Sequence, residues 1–119
     1  MKRNMDLVRA VLLEIEAKDE PDQNMNLRLE EYSKAEIEYH LTILEEAKLI
    51  ALEAQQGWHN NDIYPQRLTW EGHDFLDAAR DEGRWEQAKE IVKEKGGGLS
   101  LDVVKALLIQ LAKQAVGLD

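Results

Sequence analysis

Apolar residues recur at helical spacing in five stretches of this chain and alternate with polar ones in three short ones. Leu7, Val8, Val11, Leu12 and Ile15 predict a first helix from Met5 to Lys18, with Asn4 as its N-cap. DEPDQN then reads as a turn, because Pro21 blocks continuation of a helix. In NLRLEEY, Leu27, Leu29 and Glu31 alternate against Arg28 and Glu30, which predicts a short strand. A second helix is expected from Ser33 to Lys48, opened by the capping box Ser33-Lys34-Ala35-Glu36. Ile37, Leu41, Leu44 and Lys48 share its inward side, flanked by His40 and Ala47. Its opposite side carries Ala35, Tyr39, Thr42 and Glu46, bordered by Glu36, Glu38 and Ile43.

Beyond this helix, LIALEA and DIYPQRLTW predict a hairpin whose tip is QQGWHNND, with Gly57 and two asparagines suited to a turn. Tyr64, Leu68 and Trp70 fall on one parity of the returning strand. Pro65 lacks an N–H and so predicts an edge strand or a bulge at that point. Thr69 can cap a third helix with Phe75, Leu76 and Ala79 on its apolar side. Asp81-Glu82-Gly83 predicts a break, after which a helix resumes near Arg84 with Trp85, Ala88 and Val92 in a stripe. Gly96 to Gly98 read as a linker, and a last helix is expected from Leu101 to Val116 between Ser100 and Gly117.

With 119 residues, 44% hydrophobic and 33% charged, the composition is that of a soluble globule large enough for a core. The basic start of MKRNMDLVRAVLLEIEAKDE is broken by acidic residues and reads as a helix, not an export signal. The chain has no stretch of about 18 apolar residues, so a membrane-crossing helix is not expected. Without cysteine it has no disulfide, thiolate metal site or cysteine nucleophile, which fits a cytoplasmic location.

Charge changes the picture more. The net charge is −9; residues 1–72 carry 15 acidic and 8 basic side chains, and residues 73–119 carry 9 and 7. The field of such a chain opposes the approach of nucleic acid, whose affinity comes chiefly from phosphate neutralisation by Lys and Arg.

YHLTILEEAKLI followed by RLTWEGHDFLDAAR is similar to a pattern common in winged-helix proteins, HL-x-x-L-x-x-A-x-L-I and then LT-x-x-G-x-x-FL. With the opening MKRNMDLVRAVLLEIE and the closing GGGLSLDVVKALLIQLAKQAVGL, the chain resembles an uncharacterised family of small bacterial and prophage proteins. The resemblance implies a winged-helix fold and phage association; it supplies no activity, and no functional residue is carried over from it. One departure is plain. Only 14 residues, Asp19 to Tyr32, separate the first two helices, too few for a further helix, so the helix-turn-helix is degenerate. The expected fold is α+β and mostly helical: a winged-helix-like domain over 1–80 with a small antiparallel sheet, then a helical extension over 81–119, packed on that domain or used for self-association.

The helix that would read DNA does not look like a reader. Between Ala35 and Ala47 it has no Arg, Lys, Asn or Gln, the residues that contact base edges, and four Glu. Its outward face, Tyr39, Thr42, Ile43 and Glu46, together with Trp58 and His59 at the hairpin tip, is the expected protein-contact surface. The competing reading is simple coverage of that face by another helix. A DNA-binding alternative would use Lys2, Arg3 and Arg9 with Trp58 and Asn60, and a third alternative is an acidic DNA-mimicking decoy. Trp58 folded back over the hairpin is the bland counterpart of its exposure. His40, His59 and His73 form no His-x-x-x-His pair, so no metal site is expected; His40 fits a packed core histidine and His73 a surface one. Ser33 and Ser100 are both explained as caps, and Gly96 to Gly98 lack the Lys-Ser/Thr of a phosphate loop. Neither catalysis nor a cofactor is expected. The spacing of Leu101, Val104, Leu108, Leu111 and Ala115 approximates a heptad and suggests a dimer contact; two lysines, Lys105 and Lys113, are too few for a membrane surface.

Overall fold

The computed structural model describes residues 1–56, 61–96 and 100–118. The described residues form an α+β protein, mostly helical, with α1 (Met5–Glu16), α2 (Lys34–Glu46), β1 (Ile50–Gln56), β2 (Asn61–Leu68), α3 (Trp70–Ala79), α4 (Glu82–Glu94) and α5 (Leu101–Ala115). It divides into two compact units, Met1–His73 and Asp74–Asp119, a division that falls inside α3.

In the first unit each helix begins where its cap dictates. The Asn4 side chain accepts from the Asp6 and Leu7 amides at 2.9 and 3.2 Å. Ser33 and Glu36 close the expected capping box, each side chain on the other's amide at 3.1 Å. α1 packs on α2 and β2, and α2 on β1. Leu7, Val11 and Leu12 of α1 and Ile37, Leu41 and Leu44 of α2 are buried with Leu49, Ile50 and Leu68. Fully burying one such side chain contributes about 1.5–3 kcal/mol.

His40 is the polar tie in this interface. It is buried and bridges the two helices: Nε2 accepts the Asn4 N–H at 2.8 Å and Nδ1 donates to the Glu36 carbonyl at 2.8 Å. These two partners fix the neutral tautomer with its proton on Nδ1. The expectation of a packed histidine is met.

α2 ends earlier than predicted, and its last turn is specific. Lys48 does not continue the inward stripe; it is exposed and adopts a left-handed conformation with φ 65°. Its N–H bonds the Glu45 carbonyl at 2.9 Å and the Leu49 N–H bonds the Leu44 carbonyl at 3.0 Å, a Schellman turn with lysine where glycine is usual. Thr69 locks this turn from the other side. Its hydroxyl donates to the Lys48 carbonyl at 2.6 Å and accepts from the Gly72 amide at 3.1 Å, while its own amide donates to the Leu49 carbonyl at 2.9 Å. The first turn of α3 approaches so closely that a Cβ at position 72 would collide with the Leu49 carbonyl oxygen. The glycine of the LT-x-x-G pattern is thus required by contact between two main chains.

The hairpin is antiparallel, with Ile50 opposite Leu68 and Ala51 opposite Arg67; Leu52 then faces Pro65, so Gln66 is the extra residue of a bulge. The sequence expectation at Pro65 is met, but not that at Trp70. The strand stops at Leu68, and Trp70 opens α3, 83% exposed. Nor is NLRLEEY a strand. Residues 24–29 have no regular structure and 30–32 turn into α2, although burial does alternate, with Leu27 and Leu29 half-buried and Asn26, Arg28 and Glu30 exposed.

In the second unit, the expected break falls at Arg80 and Asp81, slightly earlier than predicted, and α4 starts at Glu82 because Asp81 caps it by accepting the Arg84 amide at 2.8 Å. Gly96, at φ 70°, ends α4, and Gly117, at φ 79°, ends α5. α4 packs on α5, with Trp85, Ala88 and Val92 buried on one and Val104, Leu108 and Leu111 on the other. Three residues of the expected dimer stripe are therefore spent inside the chain, leaving Leu101 half-buried and Ala115 exposed.

Candidate partner-binding surfaces

The first surface is the outward side of α2. Tyr39 is 40% exposed, with its ring edge-on to His40 at 5.7 Å. Thr42 and Glu46 are exposed and Ile43 is half-buried, so no described element buries this face fully. Thr42 satisfies its hydroxyl on the Glu38 carbonyl at 3.0 Å, and Glu45 accepts the Leu52 amide at 3.2 Å. Because Thr69 bonds the Lys48 carbonyl, Trp70 flanks the C-terminal end of this same helix. It is the most exposed large apolar residue among those described. Sequence parity placed it on a strand; the signal for its true position was Thr69, whose cap makes residue 70 the first of a helix. Trp58, His59 and Asn60 lie outside the described residues.

Of the residues expected to contact nucleic acid, Lys2, Arg3 and Arg9 are among those described. Lys2 and Arg3 are exposed and Arg9 is half-buried, and both arginines already hold other interactions. Beside them lies negative charge. The Tyr32 phenol is pushed above its ordinary value of 10.0, first by burial and then by Asp6, Glu31 and Glu36, against a hydrogen bond from Asn4 that lowers it. Asp6 in the first turn of α1 and Glu36 in the first turn of α2 thus both act on the Tyr32 phenol.

The second surface is a cleft of about 430 Å³ walled by residues 26–30, the N-terminal half of α2, and Ile63 and Tyr64 of β2. Leu27, Ile37, Leu41 and Ile63 supply apolar lining, and Arg28, Glu30, Lys34 and Glu38 the charged rim. Lys34 and Glu38 lie 3.7 Å apart. Next to the cleft the edge of β2 is closed by side chains. Lys18 Nζ donates to the carbonyls of Pro21, Pro65 and Gln66 at 3.0, 2.8 and 2.7 Å, and Gln66 Nε2 donates to Asn24 at 2.7 Å. Burial holds the Lys18 ammonium below its ordinary value of 10.5, with Asp22 pulling the other way. The sequence showed this cleft only as the weak alternation of Leu27 and Leu29.

A family model described as "Hypothetical protein (DUF2513)" matches residues 2–98. The chain belongs to the DUF2513 family. The DUF2513 match takes in α1 to α4, with both surfaces, and stops short of α5. An uncharacterized protein of Haemophilus influenzae (strain Rd) is 31% identical over 120 residues, covering 96% of this chain and 98% of the relative. No solved structure matches the chain. No helix among the described residues is long and apolar enough to cross a membrane, and no three described His, Asp or Glu residues are grouped to hold a metal ion.

Proposed function

We propose that this DUF2513 protein is a non-enzymatic regulatory or adaptor protein, phage-associated and cytoplasmic, that acts by protein–protein contact on a winged-helix-like scaffold. The scaffold reading is supported by the order of helix, capped helix, hairpin and capped helix, and by the LT-x-x-G turn that joins the last two. The contact reading rests on one observation: the outward face of α2 offers exposed Tyr39 and Glu46 and has no Arg, Lys, Asn or Gln, and Trp70 stands exposed in the first turn of α3. Exposed Tyr and Trp anchors dominate protein interfaces, where truncating one costs about 2 kcal/mol or more of binding.

A DNA-binding regulator is the reading to exclude. It would act through the hairpin tip and the N-terminal bases, and would show tight duplex binding that falls steeply with salt. The deciding experiment is a titration of the chain with duplex DNA at low salt. The adaptor reading expects no complex, and a salt-sensitive complex lost on Lys2→Ala/Arg3→Ala overturns it. The acidic-decoy reading is separated by competition: a decoy's partner, once captured, is released by duplex DNA, and an adaptor's partner is not.

A further inference from the structure

The four charged side chains on the rim of the cleft are not equivalent. Lys34 and Glu38 lie one helical turn apart and face each other at 3.7 Å. Arg28 and Glu30 are exposed and make no ion pair or hydrogen bond among the described residues. They stand two positions apart on one wall, near enough for two long side chains to hold the charged groups of one small molecule. Beneath them the slot is apolar, with Ile37 and Leu41 from α2, Ile63 from β2 and Leu27 from the wall itself. The main chain of residues 26–28 makes no hydrogen bond among the described residues, so its N–H and C=O groups are also available.

These features sort ligands by class. The volume of about 430 Å³ lies toward the lower end of small-molecule sites, roughly 300–1,000 Å³, and suits a body the size of one or two residues. A phosphorylated or otherwise polyanionic ligand meets Glu30 and Glu38, and a polycation meets Arg28 and Lys34. A pure hydrocarbon would strip water from the rim and from the main chain of 26–28 without replacing its hydrogen bonds. An apolar body carrying one anionic and one cationic group at the same end meets none of these objections.

We propose that the cleft binds a free amino acid with a branched or aromatic side chain. Its carboxylate accepts from the Arg28 guanidinium, its ammonium donates to the Glu30 carboxylate, and its side chain rests among Leu27, Ile37, Leu41 and Ile63. Hydrogen bonds between charged groups are the stronger kind, and a guanidinium can hold a carboxylate with two of them. The site gives this protein a small-molecule effector. Neither Tyr39 nor Trp70 lines it, and the inference stands or falls without the adaptor reading.

The test titrates the isotope-labelled full chain with L-phenylalanine and follows backbone amide shifts. Expected are saturable shifts in the millimolar range, confined to residues 26–30, 34–41 and 63–64. Three analogues keep the ring and lose charge: phenylpropanoate lacks the ammonium, phenethylamine lacks the carboxylate, and N-acetyl-phenylalanine amide lacks both. Each should bind at least about fivefold more weakly, the upper scale of an exposed ion pair. Arg28→Ala should weaken phenylalanine by about fivefold and phenethylamine not at all; Glu30→Gln should weaken phenylalanine similarly and phenylpropanoate not at all. Glycine, without an apolar body, should not bind. Equal binding by an analogue that lacks one charge overturns the match to a zwitterion, and equal binding by glycine overturns the role of the apolar floor. Tighter binding by the neutral amide assigns the cleft to a side chain of a partner protein and overturns the amino acid. No shift at these residues with phenylalanine, leucine or isoleucine overturns the site itself. Duplex binding in the separate DNA titration defeats the adaptor reading alone.

Discussion

At its C-terminal end α2 runs into a turn where the amide and carbonyl of both Lys48 and Leu49 are bonded, while at its N-terminal end it is fed by residues 25–28, whose main chain bonds to nothing described. The first junction is held by a Schellman turn, a bridging threonine and a glycine placed against a carbonyl. The second is anchored at its ends, by Asn24 on Gln66 and by the Ser33–Glu36 box, and is open between them. The contrast separates two jobs. Tight main-chain accounting fixes the angle between α2 and the hairpin. Loose accounting leaves hydrogen-bonding capacity for something else, as is usual for segments that bind.

The contrast can be broken most severely at Gly72. Gly72→Ala is favoured by helix propensity by about 1 kcal/mol. The collision with the Leu49 carbonyl should nevertheless make it destabilising by about 3 kcal/mol, seen as a lower urea midpoint. A neutral or stabilising result would mean that the α2–β1 junction yields. His40→Phe comes next. It keeps a planar ring at the site but orphans the Asn4 N–H, at a cost of about 2 kcal/mol, and would show that this bond to α1 helps to secure α2. Lys48→Gly works in the opposite direction. Removing a Cβ from a left-handed position should raise stability by about 0.5–1 kcal/mol, after the greater freedom of glycine in the unfolded chain is deducted.

The smallest effect is alkaline. The folded state holds the Tyr32 proton more tightly than the unfolded chain, so its contribution is complete below 10.0 and is lost as pH rises through the raised folded value. Lys18 acts oppositely: its folded value lies below 10.5, so stability grows as pH climbs from that lowered value to 10.5. Tyr32→Phe isolates the first effect, and its stability should fall less than that of the parent chain as pH rises above 10.0, measured by denaturant midpoints across the alkaline range.

Sequence and structure agree wherever a local chemical rule governs. Asn4, Ser33, Thr69 and Ser100 announce four helix starts because a cap is decided within three residues. The bulge at Pro65 follows from a missing donor. What the sequence conceals depends on residues far apart in the chain. Lys48 in a left-handed turn carries no signal of its own, since glycine is the usual marker. Leu27 and Leu29 alternate as a strand should, yet a strand also needs a partner, and the nearby β2 carbonyls accept from the side chains of Lys18 and Gln66. Trp70 is misassigned because parity is carried two residues past Leu68, where the strand ends, and one past the cap. The dimer stripe on α5 was correct as a hydrophobic pattern and silent about which surface covers it, which proves to be α4.

The three carbonyls gathered by Lys18 have a consequence for the behaviour of this protein in bulk. A two-stranded hairpin with a bare edge is a template that copies of itself can extend without limit. Here the Lys18 ammonium takes the Pro65 and Gln66 carbonyls of that edge and the Gln66 side-chain amide takes the Tyr64 carbonyl, and proline withholds its donor beside them. Lys18 thus takes from this edge acceptors that a copy of the hairpin would need, so one side chain stands where a further strand would otherwise pair.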